Sequence, residues 1–246
     1  MDSDSSSPLP SYTLASLRVG RPRSFGEASA AQPEVRSWTS ALLKEPLTEP
    51  TWLSKTNLAG DEQADQRSHG GPEQALCVYP SVHYAYWSTR LAQPLTAGSF
   101  GENLTLAGEW TETDVCIGDI LAFGQAVVQI SQPRSPCWKV ARRWHAPQLA
   151  LWMQESGFTG WYMRVLQTGF VAPTDHLCLL QRPHPEWSVA RANVAKYGQR
   201  HNRGLAAELA ACPALGQQWQ RKMAGRASGS VPLHDDAPRL HGPDVI

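Results

Sequence analysis

The sequence predicts a mainly β fold: a β-barrel with a few helices, followed by a small three-helix module. Three observations lead there. From Tyr12 to about residue 182 the chain is a succession of short apolar and β-branched runs, most of them separated by Gly, Pro or Asp. At QRPHPEW (181–187) two prolines interrupt the chain, and the pattern beyond them becomes helical. Hydrophobic residues make up 41% and charged residues 18% of 246 residues, enough for a real core.

Taken in order, residues 1–11 are acidic and polar and read as disordered. YTLASLRVG, RSWTSALL, ALCVY, DVCIGDILAFG, AVVQIS and HLCLLQ read as strands of a domain over 12–182. FGQA (123–126) between two of them is a tight hairpin connection. One helix is expected in this half, over 147–157, where Leu149, Trp152 and Met153 recur at helical spacing and Gly157 is a stop. In 184–226, Ala190 and Val194, Leu205 and Leu209, and Trp219 and Met223 fall four apart, in three short helices punctuated by Gly198 and Pro213. Residues 227–246 read as a flexible tail.

Net charge is zero, which gives no broad electrostatic grip on nucleic acid. No apolar run reaches the ~18 residues of a membrane span. MDSDSSSPLP lacks the basic start and apolar centre of a signal peptide, so a cytoplasmic protein is expected. The five cysteines include no CxxC pair, which argues against a disulfide framework or a cysteine-rich zinc site. Cys77, Cys116 and Cys178 lie in apolar runs and read as buried small hydrophobes. Cys212 stands alone with His184 and His201, unsuited to an iron–sulfur centre.

Three segments could carry chemistry. GDEQADQRSHGGPEQ (60–74) brings Asp65, Arg67 and His69 near a double glycine that permits close backbone approach. GSFGENLTLAG (98–108) sets Asn103 in a glycine-bracketed turn. Each, taken alone, is better read as an ordinary loop or hairpin turn. SQPRSPCWK (131–139) follows a strand. Pro133 and Pro136 stiffen it, and Arg134 and Lys139 place cations around Cys137, which favours the thiolate. That thiolate is either a nucleophile, with His69 or His145 as base, or a ligand for a soft metal held by an anionic cofactor. A non-catalytic carrier or interaction module is the third reading.

GDEQADQRSHGGPEQALCVYP, SFGENLT, VCIGD and SQPRSPCWK, in this order, resemble the MOSC family, named for the C-terminal domain of molybdenum-cofactor sulfurases, and most closely its YiiM-like branch. The resemblance covers roughly residues 12–182, and the helical remainder is similar to the three-helix module of that branch. It implies a MOSC-type β-barrel, a molybdenum cofactor, independence of pyridoxal phosphate, and Cys137 as molybdenum ligand. It also implies a pterin phosphate held by Arg134, Lys139 and Lys44, with Ser135 in the same motif as Cys137, and His69 and Asn103 lining the pocket. The implied activity is reduction of N-hydroxylated compounds, such as hydroxylaminopurine-type base analogues, by N–O cleavage, with electrons from a separate reductase. In that reaction His69 would deliver protons. The alternative within the family is a non-catalytic carrier of the cofactor or of sulfur.

Overall fold

The structure is a computed structural model and describes residues 10–29, 36–65, 69–233 and 237–242. Most of the start that the sequence suggests is disordered, and Arg67, lie outside these residues. Among the described residues twelve strands occur in chain order: β1 Ser11–Val19, β2 Arg23–Phe25, β3 Trp38–Ser40, β4 Glu45–Pro46, β5 Thr51–Leu53, β6 Leu76–Pro80, β7 Leu104–Leu106, β8 Ile120–Phe123, β9 Ala126–Pro133, β10 Trp161–Gln167, β11 Gly169–Val171 and β12 His176–Gln181. The helices are α1 His83–Leu91, α2 Trp138–Arg143, α3 Leu149–Ser156, α4 Val189–Asn193, α5 Arg203–Ala210, α6 Gln217–Ser228 and α7 Ala237–His241.

Seven strands close into a barrel in the order β12-β8-β9-β10-β6-β7-β1, and β12 pairs back onto β1 through Ser11↔Cys178, Tyr12↔Leu177 and Thr13↔His176. All the pairs are antiparallel except β6–β7, which is parallel. Side chains fill the interior, as a barrel of this size requires. Alternation aims them: on β10, Trp161, Met163 and Val165 point inward, and Leu177 and Leu179 do so on β12. The same alternation sends Cys178 out, so this cysteine is exposed rather than buried, while Cys77 and Cys116 are buried as expected; Cys212 is buried too. The expected hairpin is present, with Phe123 paired to Ala126 across Gly124 and Gln125.

Several elements differ from the sequence reading. VCIGD is not a strand: Asp119 accepts from the Cys116 N–H at 2.9 Å and from both ends of the Arg182 fork, turning the chain before β8 starts. β10 and the short β7 join the expected strands. Besides α3, capped by left-handed Gly157, the first half contains α1 and α2. The aromatic residues of α1 have strand propensity, but helical spacing buries Tyr84 and Trp87 together. Their rings pack with Tyr79, Phe100, Leu149 and Met153 in a second core beside the barrel.

The three expected helices form as α4, α5 and α6, with α4 continuing into a π-helical turn, Val194–Gly198. They do not stand apart. Trp187, Val189, Leu209, Trp219 and Met223 belong to one apolar cluster with the barrel interior. Each such buried side chain contributes about 1.5–3 kcal/mol by burial. In the segment read as a tail, α6 runs to Ser228 and α7 packs Leu240 into the second core. Among the described residues no helix is long and apolar enough to cross a membrane.

Gly160 marks where β10 meets β6. Its φ is +69°, and a Cβ there would collide with the Val78 carbonyl. Backbone on both sides leaves no slack, so Gly160→Ala should destabilise the protein by about 2–4 kcal/mol in urea unfolding.

Candidate functional site

Strand β9 delivers the site. It ends at Pro133, and Arg134–Cys137 cross to α2, of which Cys137 is the N-cap in extended conformation (φ −125°, ψ 165°). The loop 61–74 faces it. Gly70 and Gly71 both have positive φ, and Gly70 is packed so closely on the Gln63 side chain that a Cβ would clash. This turn brings His69 to Cys137. Burial pushes the Cys137 thiol up, but the hydrogen bond and charge of His69, the Lys139 backbone N–H and the Arg134 charge together bring it down to about 7. The thiolate is therefore abundant near neutrality. His145 is exposed and borders neither cavity described below, so the imidazole beside the thiol is that of His69.

Cys137, His69, Lys139, Tyr162, Asp65 and Gln74 stand at the seam between two lobes of space. The smaller, of about 90 Å³, is bordered by Lys44, Asn103 and Arg134. The larger, of about 560 Å³, is bordered by Ser135, Gln132, Lys196, Trp219, Lys222 and Arg239. The structure thus gathers all seven residues expected at the site, but with unequal freedom. Lys44 forms a buried ion pair with Asp61. Arg134 donates to the Phe100 carbonyl at 2.7 Å and to Cys77 Sγ at 3.7 Å. The Asn103 amide accepts from Cys77 N–H and donates to the Arg18 carbonyl, both at 3.1 Å, tying β6 to β1. These three side chains hold the floor of the small lobe together. Lys139 borders both lobes.

The large lobe has walls that motif reading missed. Lys196, 5% exposed, donates to Ser135 Oγ at 2.8 Å and sits 3.7 Å from the Trp219 ring centroid. Tyr197 OH donates to the same Ser135 Oγ at 3.1 Å. With Lys222 and Arg239, the helical module and α7 bring three cations to this lobe. No local signal marks them: AKYG and QRKMAGR look like any solvated helix face.

The residues fit a molybdenum cofactor. Among the described residues no three His, Cys, Asp or Glu side chains gather as a metal cluster, so a metal here must arrive with most of its ligands. Cys137 offers one soft sulfur, which suits molybdenum carried by a sulfur-donor cofactor. The 560 Å³ lobe lies within the ~300–1,000 Å³ typical of cofactor pockets. Its cations suit an anionic group, and the buried Gln132 Oε1, on a residue that borders the lobe, has no hydrogen-bond partner. In the cofactor-free protein, alkylation of Cys137 should rise with pH around a midpoint near 7. The partner that favours the thiolate is lost in His69→Ala, so its midpoint should move to higher pH; peptide mass spectrometry of iodoacetamide-treated samples reads both.

Comparison with known proteins agrees with this geometry. Residues 65–177 match the MOSC domain, and residues 187–228 match the YiiM-like 3-alpha helix domain. Protein YiiM of Escherichia coli (strain K12) is 36% identical over 207 residues, covering 82% of this chain and 91% of that protein. A protein named reductase from Gibberella moniliformis is 36% identical over 181 residues, covering 71% of this chain but 32% of that longer protein. The crystal structure of YiiM from Geobacillus stearothermophilus superposes with a TM-score of 0.72 at 37% identity, covering 89% of this chain and all of that one. With a seven-strand barrel, a lowered thiol on the loop after β9 and a helical module closing the cavity, the chain belongs to the MOSC family, in the branch that carries the YiiM-like three-helix domain.

Proposed function

We propose that this chain is a molybdenum-cofactor-dependent reductase that cleaves the N–O bond of N-hydroxylated compounds, hydroxylaminopurine-type base analogues among them. The observation that carries the reading is the activated cysteine on the seam of a cation-walled cavity, with no cluster among the described residues able to hold a metal by itself. The MOSC domain is associated with molybdenum-cofactor binding, and one relative bears the name reductase.

In this reading Cys137 thiolate ligates molybdenum. When bound, the cofactor supplies the two-electron redox chemistry, with the electrons drawn from a separate donor reductase. Lys139, Lys196, Lys222 and Arg239 offset the cofactor's negative charge in the large lobe. Ser135, fixed by Lys196 and Tyr197, holds the loop that carries the cysteine. Reduction of an N-hydroxyl group to an amine takes two electrons and two protons and releases water. In this reading His69, which bonds Cys137, hands over a proton there. Tyr162 borders both lobes, and burial raises its phenol well above the usual range, so it stays protonated as a neutral wall.

Metal analysis and pterin fluorescence test the reading on protein from a cofactor-competent host. The wild type should carry molybdenum and pterin and reduce a hydroxylamine substrate with an artificial electron donor, and Cys137→Ala should lose turnover. Cofactor without turnover would favour a carrier. Neither metal nor pterin in the wild type would return Cys137 to thiol chemistry.

A further inference from the structure

We propose that Arg239, on the C-terminal helix α7, is a positioning residue for Cys137. The starting point is the carbonyl of Pro136. It lies after β9 has ended and one residue before the N-cap of α2, where neither a strand ladder nor the helix offers a donor. The residue is buried, so solvent is not a ready substitute. Arg239 supplies the donor: its Nη1 bonds this carbonyl, while Nη2 donates to Gln154 Oε1 at 2.6 Å on α3. The guanidinium carbon also lies 5.7 Å from the Tyr197 ring centroid, and Tyr197 holds Ser135.

One rigid fork thus touches the cysteine loop, a barrel-side helix and the π-helical turn of the module. Fixing the Pro136 carbonyl fixes the plane of the peptide that leads into Cys137, and hence the pivot about which its Cβ–Sγ bond swings. The helix that carries the fork is anchored separately. Leu240 packs with Val140 and Ala141 of α2, and Gly242 lies against Trp138, where an added Cβ would sit 3.1 Å from the ring. Residues 237–242 fall beyond both domain matches, which end at 177 and 228, so the contact comes from this chain's own C-terminal segment. Its effect on turnover rests on the function proposed above; the positioning itself rests on these contacts.

The test uses the full-length, cofactor-free protein and follows iodoacetamide modification of Cys137 by peptide mass spectrometry. Arg239→Ala should react about tenfold faster, the scale expected when a charge-assisted hydrogen bond stops holding one arrangement. Added guanidinium at low concentration should bring the rate back towards wild type, and Arg239→Lys should fall between the two. Leu240→Ala loosens the helix without removing the fork, and its smaller change should not respond to guanidinium. Equal Cys137 rates in folded wild type and Arg239→Ala would overturn the proposal. So would an Arg239→Ala increase matched by Leu240→Ala and insensitive to guanidinium, because the helix would then be only a tether. In loaded enzyme, Arg239→Ala should lower kcat with little change in KM. If the wild type shows no turnover, the reductase reading fails while the alkylation result still decides the positioning.

Discussion

The antiparallel pairing of Ser11–Thr13 with His176–Cys178 closes the barrel, and the site depends on that closure. An open sheet would leave β9 free to splay from β10 and β8, and the loop it ends in would have no fixed direction. Closed, the strand is paired with β8 over Ala126–Gln129 and with β10 as far as Pro133, which lies opposite Trp161. The next four residues start from a rigid platform. Arg134 prolongs it, since its N–H bonds the Gly160 carbonyl at 3.0 Å and its guanidinium bonds the Phe100 carbonyl. Cys137 is therefore held from the barrel side before any part of the helical module touches it.

Electrostatics divides the two lobes. In the small one the cations are matched within the protein: Lys44 by Asp61, Arg134 by a backbone carbonyl and a sulfur. In the large one, cations from four elements converge, and among the described residues Asp65 is the one bordering carboxylate; Lys196 and Arg239 are held there by neutral oxygens. A buried ion pair holds a fold in register, whereas converging cations favour an anion. The cysteine at the seam faces both settings, which is a reasonable place for a group that must be fixed yet reach an incoming ligand.

Much of this was legible in the sequence because loop chemistry is local. Prolines and cations around Cys137, and the double glycine after His69, announce themselves within a few residues. The strand pattern and the three helices followed from periodicity. What escaped depends on contacts distant in sequence. Nothing near Lys196 says that its ammonium will meet Ser135 across 61 residues, or that Arg239 will meet Pro136 across 103. Nor do the aromatics of α1 reveal that a second core will draw them into a helix. Cys178 is the instructive reversal: an apolar neighbourhood suggested burial, but β alternation put its neighbours inside and the thiol outside. Asn103 lies in a motif that suggested a ligand, yet both ends of its amide join strands.

On the function proposed above, the protein would offer the metal a single sulfur, Cys137, and that bears on the order of events in the protein's life. In a zinc finger the ion gathers several side chains and folding waits for it. Here the apolar core runs unbroken from the barrel into the helical module, and Cys137 is already aimed by bonds that involve no metal. The contacts that build the scaffold are all made within the protein. On that proposed function, loading would be a docking event on a finished receptor, and a cell short of molybdenum would accumulate folded, idle protein rather than degraded chains.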